Sequence, residues 1–172
     1  IEFYLRHHSN ISNSADSMIA EVPGYQELLS PYFKPISEEL NDWMRDGIII
    51  KTSQVSNSEF TNVFSKLARE GKDILYIACS SALSGSYNYS LIIKDELLEK
   101  YPNRKIICID SLCACLGQGS MAIDAAKLQK EGKTIEEVAE YIEENKLCYH
   151  QFGTVETLDY LKKAGRVKAA AA

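Results

Sequence analysis

Histidine is scarce in this chain: His7, His8 and His150 are all it has. A serine or cysteine nucleophile needs a neighbouring base, most often histidine, and zinc sites draw on the same side chain. None of the three falls at the carboxyl end of an expected strand. His7 and His8 are adjacent, so on a strand they point apart and read as a solvated pair. H-E-x-x-H and paired-carboxylate patterns are missing. So is G-x-S-x-G around Ser84, which follows Ala82-Leu83. The sequence therefore points to no catalytic residue and no metal.

An excess of positive charge is also lacking. Nineteen Lys and Arg stand against 24 Asp and Glu, a net charge of −5, and a phosphate-binding surface wants the opposite balance. No apolar run approaches the ~18 residues of a membrane span, and Ile1 to His8 is too short and mixed for a signal peptide. Nucleic acid and stable membrane insertion are thus not expected partners. The five cysteines are an odd number, and two lie in strand-like runs. They read as reduced packing thiols of a cytoplasmic protein. Cys113-Ala-Cys115 has the wrong spacing for a C-x-x-C site.

Two nucleotide motifs fail on inspection. Gly132-Lys133-Thr134 resembles the end of a P-loop, but Lys127 stands where its first glycine belongs. Gly117-x-Gly119-x-x-Ala122 begins eight residues past a strand, whereas the dinucleotide fingerprint needs a tight strand-to-helix turn. Both glycines read as helix-start residues. No cofactor is expected.

The chain does hold alternating strands and helices. At 172 residues it fits about one domain. Residues 1–35 read as an irregular start, with turns at Pro23-Gly24 and Ser30-Pro31. Ser37 looks like a cap for a helix carrying Leu40, Trp43 and Met44, stopped by Gly47. Ile48-Ile49-Ile50 leads into Lys51-Thr52-Ser53-Gln54. Ser56-x-x-Glu59 is a capping box before a helix whose inner face is Phe60, Val63, Phe64 and Leu67. Ile74 to Cys79 is an apolar strand, followed by a hydroxyl-rich loop and a helix to about Lys100. Lys105 to Ile109 is a second strand with Asp110-Ser111 at its end. A helix follows over Leu116–Glu131, then a capping box, Thr134-x-x-Glu137, opens another to about Asn145. Cys148 to Val155 is expected to hold a strand ending near Thr154, and Thr157 to cap a helix over Leu158–Lys163. This alternation predicts an α/β fold with a mainly parallel sheet flanked by helices. The chain opens on Ile1 rather than Met and closes on Ala169–Ala172, so it reads as incomplete, and the alanine tail is set aside.

Ligands of such sheets bind beyond the carboxyl ends of the strands. Thr52, the Ser80–Ser86 loop, Asp110-Ser111 and Thr154–Thr157 all fall there. Ser80 to Ser86 holds four hydroxyls and a glycine at a strand-to-helix junction, where free N–H groups and a helix dipole favour an anion. On residue chemistry alone three readings stand. They are a carboxylate binder, a hydrolase or transferase with Ser84 as nucleophile, and a phosphate- or nucleotide-binding domain.

The same segments resemble those of a known family. Lys51-Thr52-Ser53-Gln54-Val55-Ser56 followed by Phe60 is similar to the Thr-Ser-Gln signature of the DegV family. Ser80-Ser81-Ala82-Leu83-Ser84-Gly85-Ser86 resembles its Ser-Ser-x-Leu-Ser-Gly-Thr loop, with Ser for the last Thr. Asp110-Ser111 with Gly117 and Gly119 resembles its next segment. Leu158-x-Tyr160-Leu161-Lys162-Lys163-Ala164-Gly165-Arg166 resembles its Leu-x-Tyr-Leu-x-x-Gly-Gly-Arg stretch, with Ala for the first Gly.

The resemblance implies a bacterial fatty-acid-binding protein of two α/β lobes, with residues 36–168 as the N-terminal lobe. It implies a carrier without catalytic activity, whose ligand is a long-chain acid such as palmitate, stearate or oleate. A fatty-acid kinase is implied as partner. Carried over by motif, Thr52 and Ser84 would hydrogen-bond the carboxylate and Arg166 would supply the counter-charge. Ser81 and the Gly85 backbone would assist.

Overall fold

Ser56 opens helix α1 (Asn57–Arg69), its hydroxyl accepting from the Glu59 N–H at 3.2 Å. Phe60, Phe64 and Ala68, spaced four apart, make the buried stripe. Gly71, at φ +75°, turns the chain after the helix, a conformation only glycine adopts without strain. The computed structural model describes residues 42, 43, 45–47, 54–152, 155 and 157–167. Asp42, Trp43 and Arg45 are helical, and Gly47 has φ +84°. The rest of the expected first helix and Ile48–Ile50 lie outside the described residues.

Strand β1 (Ile74–Ala78) leads through the hydroxyl loop into α2 (Ser86–Lys100), and β2 (Ile106–Asp110) returns beside it. The two strands are parallel, in register from Ile74 opposite Ile106 to Ala78 opposite Asp110. Helix α3 (Cys115–Lys130) and helix α4 (Ile135–Asn145) follow. The predicted capping box at α4 is complete: Thr134 Oγ1 accepts from Glu137 N–H, and the Glu137 carboxylate accepts from Thr134 N–H.

The sheet is covered on both faces, as its apolar strands require. On one face Ile74, Tyr76, Ala78 and Ile106 pack with Phe60, Phe64, Ile93 and Leu97. The Phe60, Phe64 and Tyr76 rings meet edge to face, with centroids 5.3 to 5.9 Å apart, contacts worth about 0.5–1.5 kcal/mol each beyond burial. On the other face Ile77 and Ile109 pack with Met121, Val138, Ala139 and Ile142.

One expected element is corrected. The stretch from Cys148 onward is not a strand: a 3₁₀ turn, Lys146–Cys148, continues α4, and Tyr149–Phe152 and Val155 carry no strand structure. Tyr149 is tied to α3 and its approach instead. Its hydroxyl donates to Asp124 Oδ2 at 2.9 Å, and its carbonyl accepts from Cys113 Sγ at 3.5 Å. Thr154 lies outside the described residues. The last helix, α5 (Asp159–Lys163), begins one residue later than expected, with Thr157 Oγ1 accepting from Asp159 N–H at 3.2 Å.

Candidate functional site

At the carboxyl end of β1 the loop folds back on itself and on β2. The Ser80 N–H donates to Cys113 O at 2.8 Å, and the Ser81 N–H to Asp110 Oδ1 at 3.1 Å. The Ala82 N–H donates to Ser80 Oγ, and the Leu83 and Ser84 N–H groups donate to Ser80 O. The Ser86 N–H donates to Ser84 Oγ at 3.3 Å. This revises the expectation of several free loop amides. Tight turning makes each amide the natural partner of a nearby oxygen, and buried backbone groups are paired wherever they can be. What the loop offers outward is hydroxyls, ahead of a helix whose N-cap residue, Gly85, brings no side-chain cap.

Ser81 is exposed and Ser84 half-buried, while Ser80 and Ser86 are buried. Ser84 Oγ donates to Ser86 Oγ at 3.0 Å, and Ser86 Oγ also accepts from Val55 N–H at 3.2 Å. Ser86 therefore fastens the segment entering α1 to the start of α2. Gln54 lies on the same junction. A Cβ built on Gly85 would collide with Gln54 Oε1, so glycine here admits the side chain of a residue 31 positions earlier. In the sequence Gln54 is only one residue of the Lys51–Ser56 stretch; the fold alone reveals its contact. Thr52, the expected carboxylate donor, lies outside the described residues.

Asp110 closes β2 and bridges two loops. Its Oδ1 accepts from Ser81 N–H and from Leu112 N–H, each at 3.1 Å. Leu112 has φ +56° and is exposed. Ser111 beside it is fully buried, its hydroxyl bonded to both the N–H and the carbonyl of Cys113. Gly117, on the second residue past the α3 start, packs against Cys113 as the expected helix-start glycine.

Arg166 reaches the same loop from the far end of the chain. Its Nε donates to Leu83 O at 3.2 Å and its Nη1 to Ala164 O. Gly165, at φ +72°, makes the turn that presents it. The structure thus brings Arg166 against the loop that carries Ser81, Ser84 and Gly85. None of these four lines the cleft of about 750 Å³ along β1, whose wall includes Phe64, Leu75, Lys105 and Ile135.

Hydroxyls with an exposed guanidinium can hold an anion through charge-assisted hydrogen bonds. They are poorly arranged for nucleophilic attack. Ser84 donates to another hydroxyl, and His150, the one histidine among the described residues, is exposed. Burial pushes the Cys79 and Cys113 thiols up, away from the reactive thiolate. No group of three or more metal-ligating side chains occurs among the described residues. Nor is any described helix long and apolar enough to cross a membrane.

A family model described as "Uncharacterised protein, DegV family" matches residues 34–172. A DegV domain-containing protein of Clostridium perfringens is 47% identical over 129 residues, covering 75% of this chain and 44% of that protein. Among solved structures, a fatty-acid-binding DegV family protein from Thermus thermophilus superposes with a TM-score of 0.66 at 29% identity, covering 77% of this chain and 46% of the other. A stearic-acid-binding protein from Eubacterium ventriosum superposes with a TM-score of 0.64 at 26% identity, covering 78% and 47%. The chain spans about half the length of the relatives it matches.

Proposed function

The chain belongs to the DegV family, and on that premise we propose that it provides the head-group seat of a long-chain fatty-acid carrier. Residues 36–168 act as the first lobe of a two-lobed protein. The Ser84 hydroxyl and the Arg166 guanidinium hold the ligand carboxylate, with Thr52, Ser81 and the Gly85 backbone assisting. One observation carries this reading: Arg166, at the end of the described chain, is bonded to the loop that bears Ser84. A cation held against a loop of hydroxyl donors suits a singly charged carboxylate. The acyl tail adds about 0.8 kcal/mol per buried CH₂ before the losses of association. The bound acids of the related structures support the same ligand class.

The protein on this reading is a carrier, not a catalyst. It works in the cytoplasm, in keeping with its five free thiols. The exposed faces of Ser81 and Arg166 leave the head group open to a second protein, a fatty-acid kinase, that acts on the carboxylate.

The test is mass spectrometry of the denatured full-length protein, followed by calorimetric titration of the delipidated protein with palmitate and oleate. A co-purifying acyl chain and saturable binding are expected. No bound acid and no binding of either would overturn the reading. Labelling of Ser84 by a fluorophosphonate would instead support the hydrolase alternative.

A further inference from the structure

Asp110 has no part in the seat described above, yet its side chain bonds both loops at the strand ends. Its Oδ1 takes the N–H of Ser81, 29 residues away in sequence, and the N–H of Leu112, two residues on. The neighbouring bonds run the same way. The Ser80 N–H reaches Cys113 O, and that carbonyl also accepts from the buried Ser111 hydroxyl. Leu112, meanwhile, is held at φ +56°, where a bulky L-residue is disfavoured. A backbone in that state persists only when its surroundings fix it, and the Asp110 carboxylate supplies such a fixing bond.

Resting on the reading of this rim as a carboxylate seat, we propose that Asp110 is its positioning residue. By binding the Ser81 and Leu112 amides it fixes the path of the Ser81–Ser84 turn, and so the direction of the hydroxyls offered to the ligand. Asp110 itself does not touch the head group. Because the Ser81 amide is already taken, Ser81 meets the ligand through its hydroxyl alone. The requirement at position 110 is for an acceptor oxygen, not for a negative charge: an Asn carbonyl in the same place takes the same two N–H groups.

The test compares full-length wild type, Asp110→Asn and Asp110→Ala after delipidation, each titrated with oleate and with methyl oleate. The ester keeps the tail and removes the charged head. Wild type should prefer oleate; if it binds neither, the fatty-acid reading falls and the proposal with it. Asp110→Asn should keep the wild-type preference. Asp110→Ala should lower the preference by about tenfold, the scale of one charge-assisted hydrogen bond, and leave methyl oleate within about threefold of wild type. An unchanged preference in Asp110→Ala, or an equal loss of both ligands, overturns the proposal while leaving the fatty-acid reading in place. A second measurement needs no truncated side chain. The Ser81 and Leu112 amides should be protected from hydrogen exchange in wild type and in Asp110→Asn, and exchange of either at the rate of an open loop overturns the proposal.

Discussion

Arg166 Nε donates to the carbonyl of Leu83 at 3.2 Å, joining residues 83 positions apart. Both partners are exposed, and an exposed hydrogen bond of this kind adds little to stability, about 0.5 kcal/mol or less. Its consequence is placement: the guanidinium is held one residue from Ser84. Arg166→Ala is therefore expected to leave the thermal midpoint nearly unchanged while weakening oleate binding by about tenfold or more. Arg166→Lys should not restore it, because an ammonium lacks the planar fork that spans a carbonyl and a carboxylate together. Calorimetry on the delipidated full-length variants checks both.

How much of this was legible in the sequence depends on whether a feature is local. The Thr134 cap, the Gly71 stop and the α2 span to Lys100 follow from rules acting within a few residues, the parallel pairing of the two apolar strands follows from the helix between them, and the structure has them all. The strand expected after Cys148 failed because Tyr149 is anchored to Asp124, a residue 25 positions earlier, which no local propensity encodes. The contacts of Gln54 with Gly85 and of Asp110 with Ser81 are hidden for the same reason. Hydroxyl content singles out the loop in the sequence, but composition could not say which of its donors were already paired.

Two glycines should respond differently to the same change. In Gly85→Ala the new methyl meets Gln54 Oε1, the free end of an exposed side chain that can swing away. The backbone there has φ −72°, which any residue adopts. Stability should fall by less than about 1 kcal/mol, mostly from placing Ala at an N-cap, while oleate affinity drops as Gln54 and the methyl crowd the seat. In Gly117→Ala the methyl lies 2.7 Å from Cys113 Sγ and 2.9 Å from its Cβ, inside the buried turn. That overpacking should cost about 1–3 kcal/mol. Urea unfolding of the two variants side by side gives the comparison.

Ser86 serves stability more than binding. Its buried hydroxyl accepts from Val55 N–H and from Ser84 Oγ. Ser86→Ala strands the Val55 amide in a half-buried position, which should cost about 1–3 kcal/mol. It also releases the Ser84 hydroxyl to turn toward a ligand. The expected outcome is a lower unfolding midpoint with oleate affinity retained in the folded protein. A loss of affinity larger than the loss of stability would show that Ser86 belongs to the seat. Thr134→Ala, at the far cap of α4, should cost about 1 kcal/mol and leave binding untouched.

Tyr76 gives the pH dependence its sign. Its hydroxyl is buried and has no hydrogen-bond partner, and burial foremost, then the Cys108 and Cys79 thiols, raises its ionisation well above the ordinary tyrosine value of 10.0. Tyr149 is raised too, by burial and by its bond to Asp124. The folded state thus keeps phenolic protons that the unfolded chain releases near pH 10. Stability is fully present below that pH and falls as pH rises above it. Urea unfolding should show a flat midpoint between pH 7 and 9 and a decline beyond 10. Tyr76→Phe removes both the unpaired hydroxyl and the group that titrates, while keeping the ring against Phe60 and Phe64. It should leave stability at pH 7.5 unchanged or raise it by about 1 kcal/mol, and it should shallow the alkaline decline. A clear loss of stability at pH 7.5 would mean that the hydroxyl has a partner.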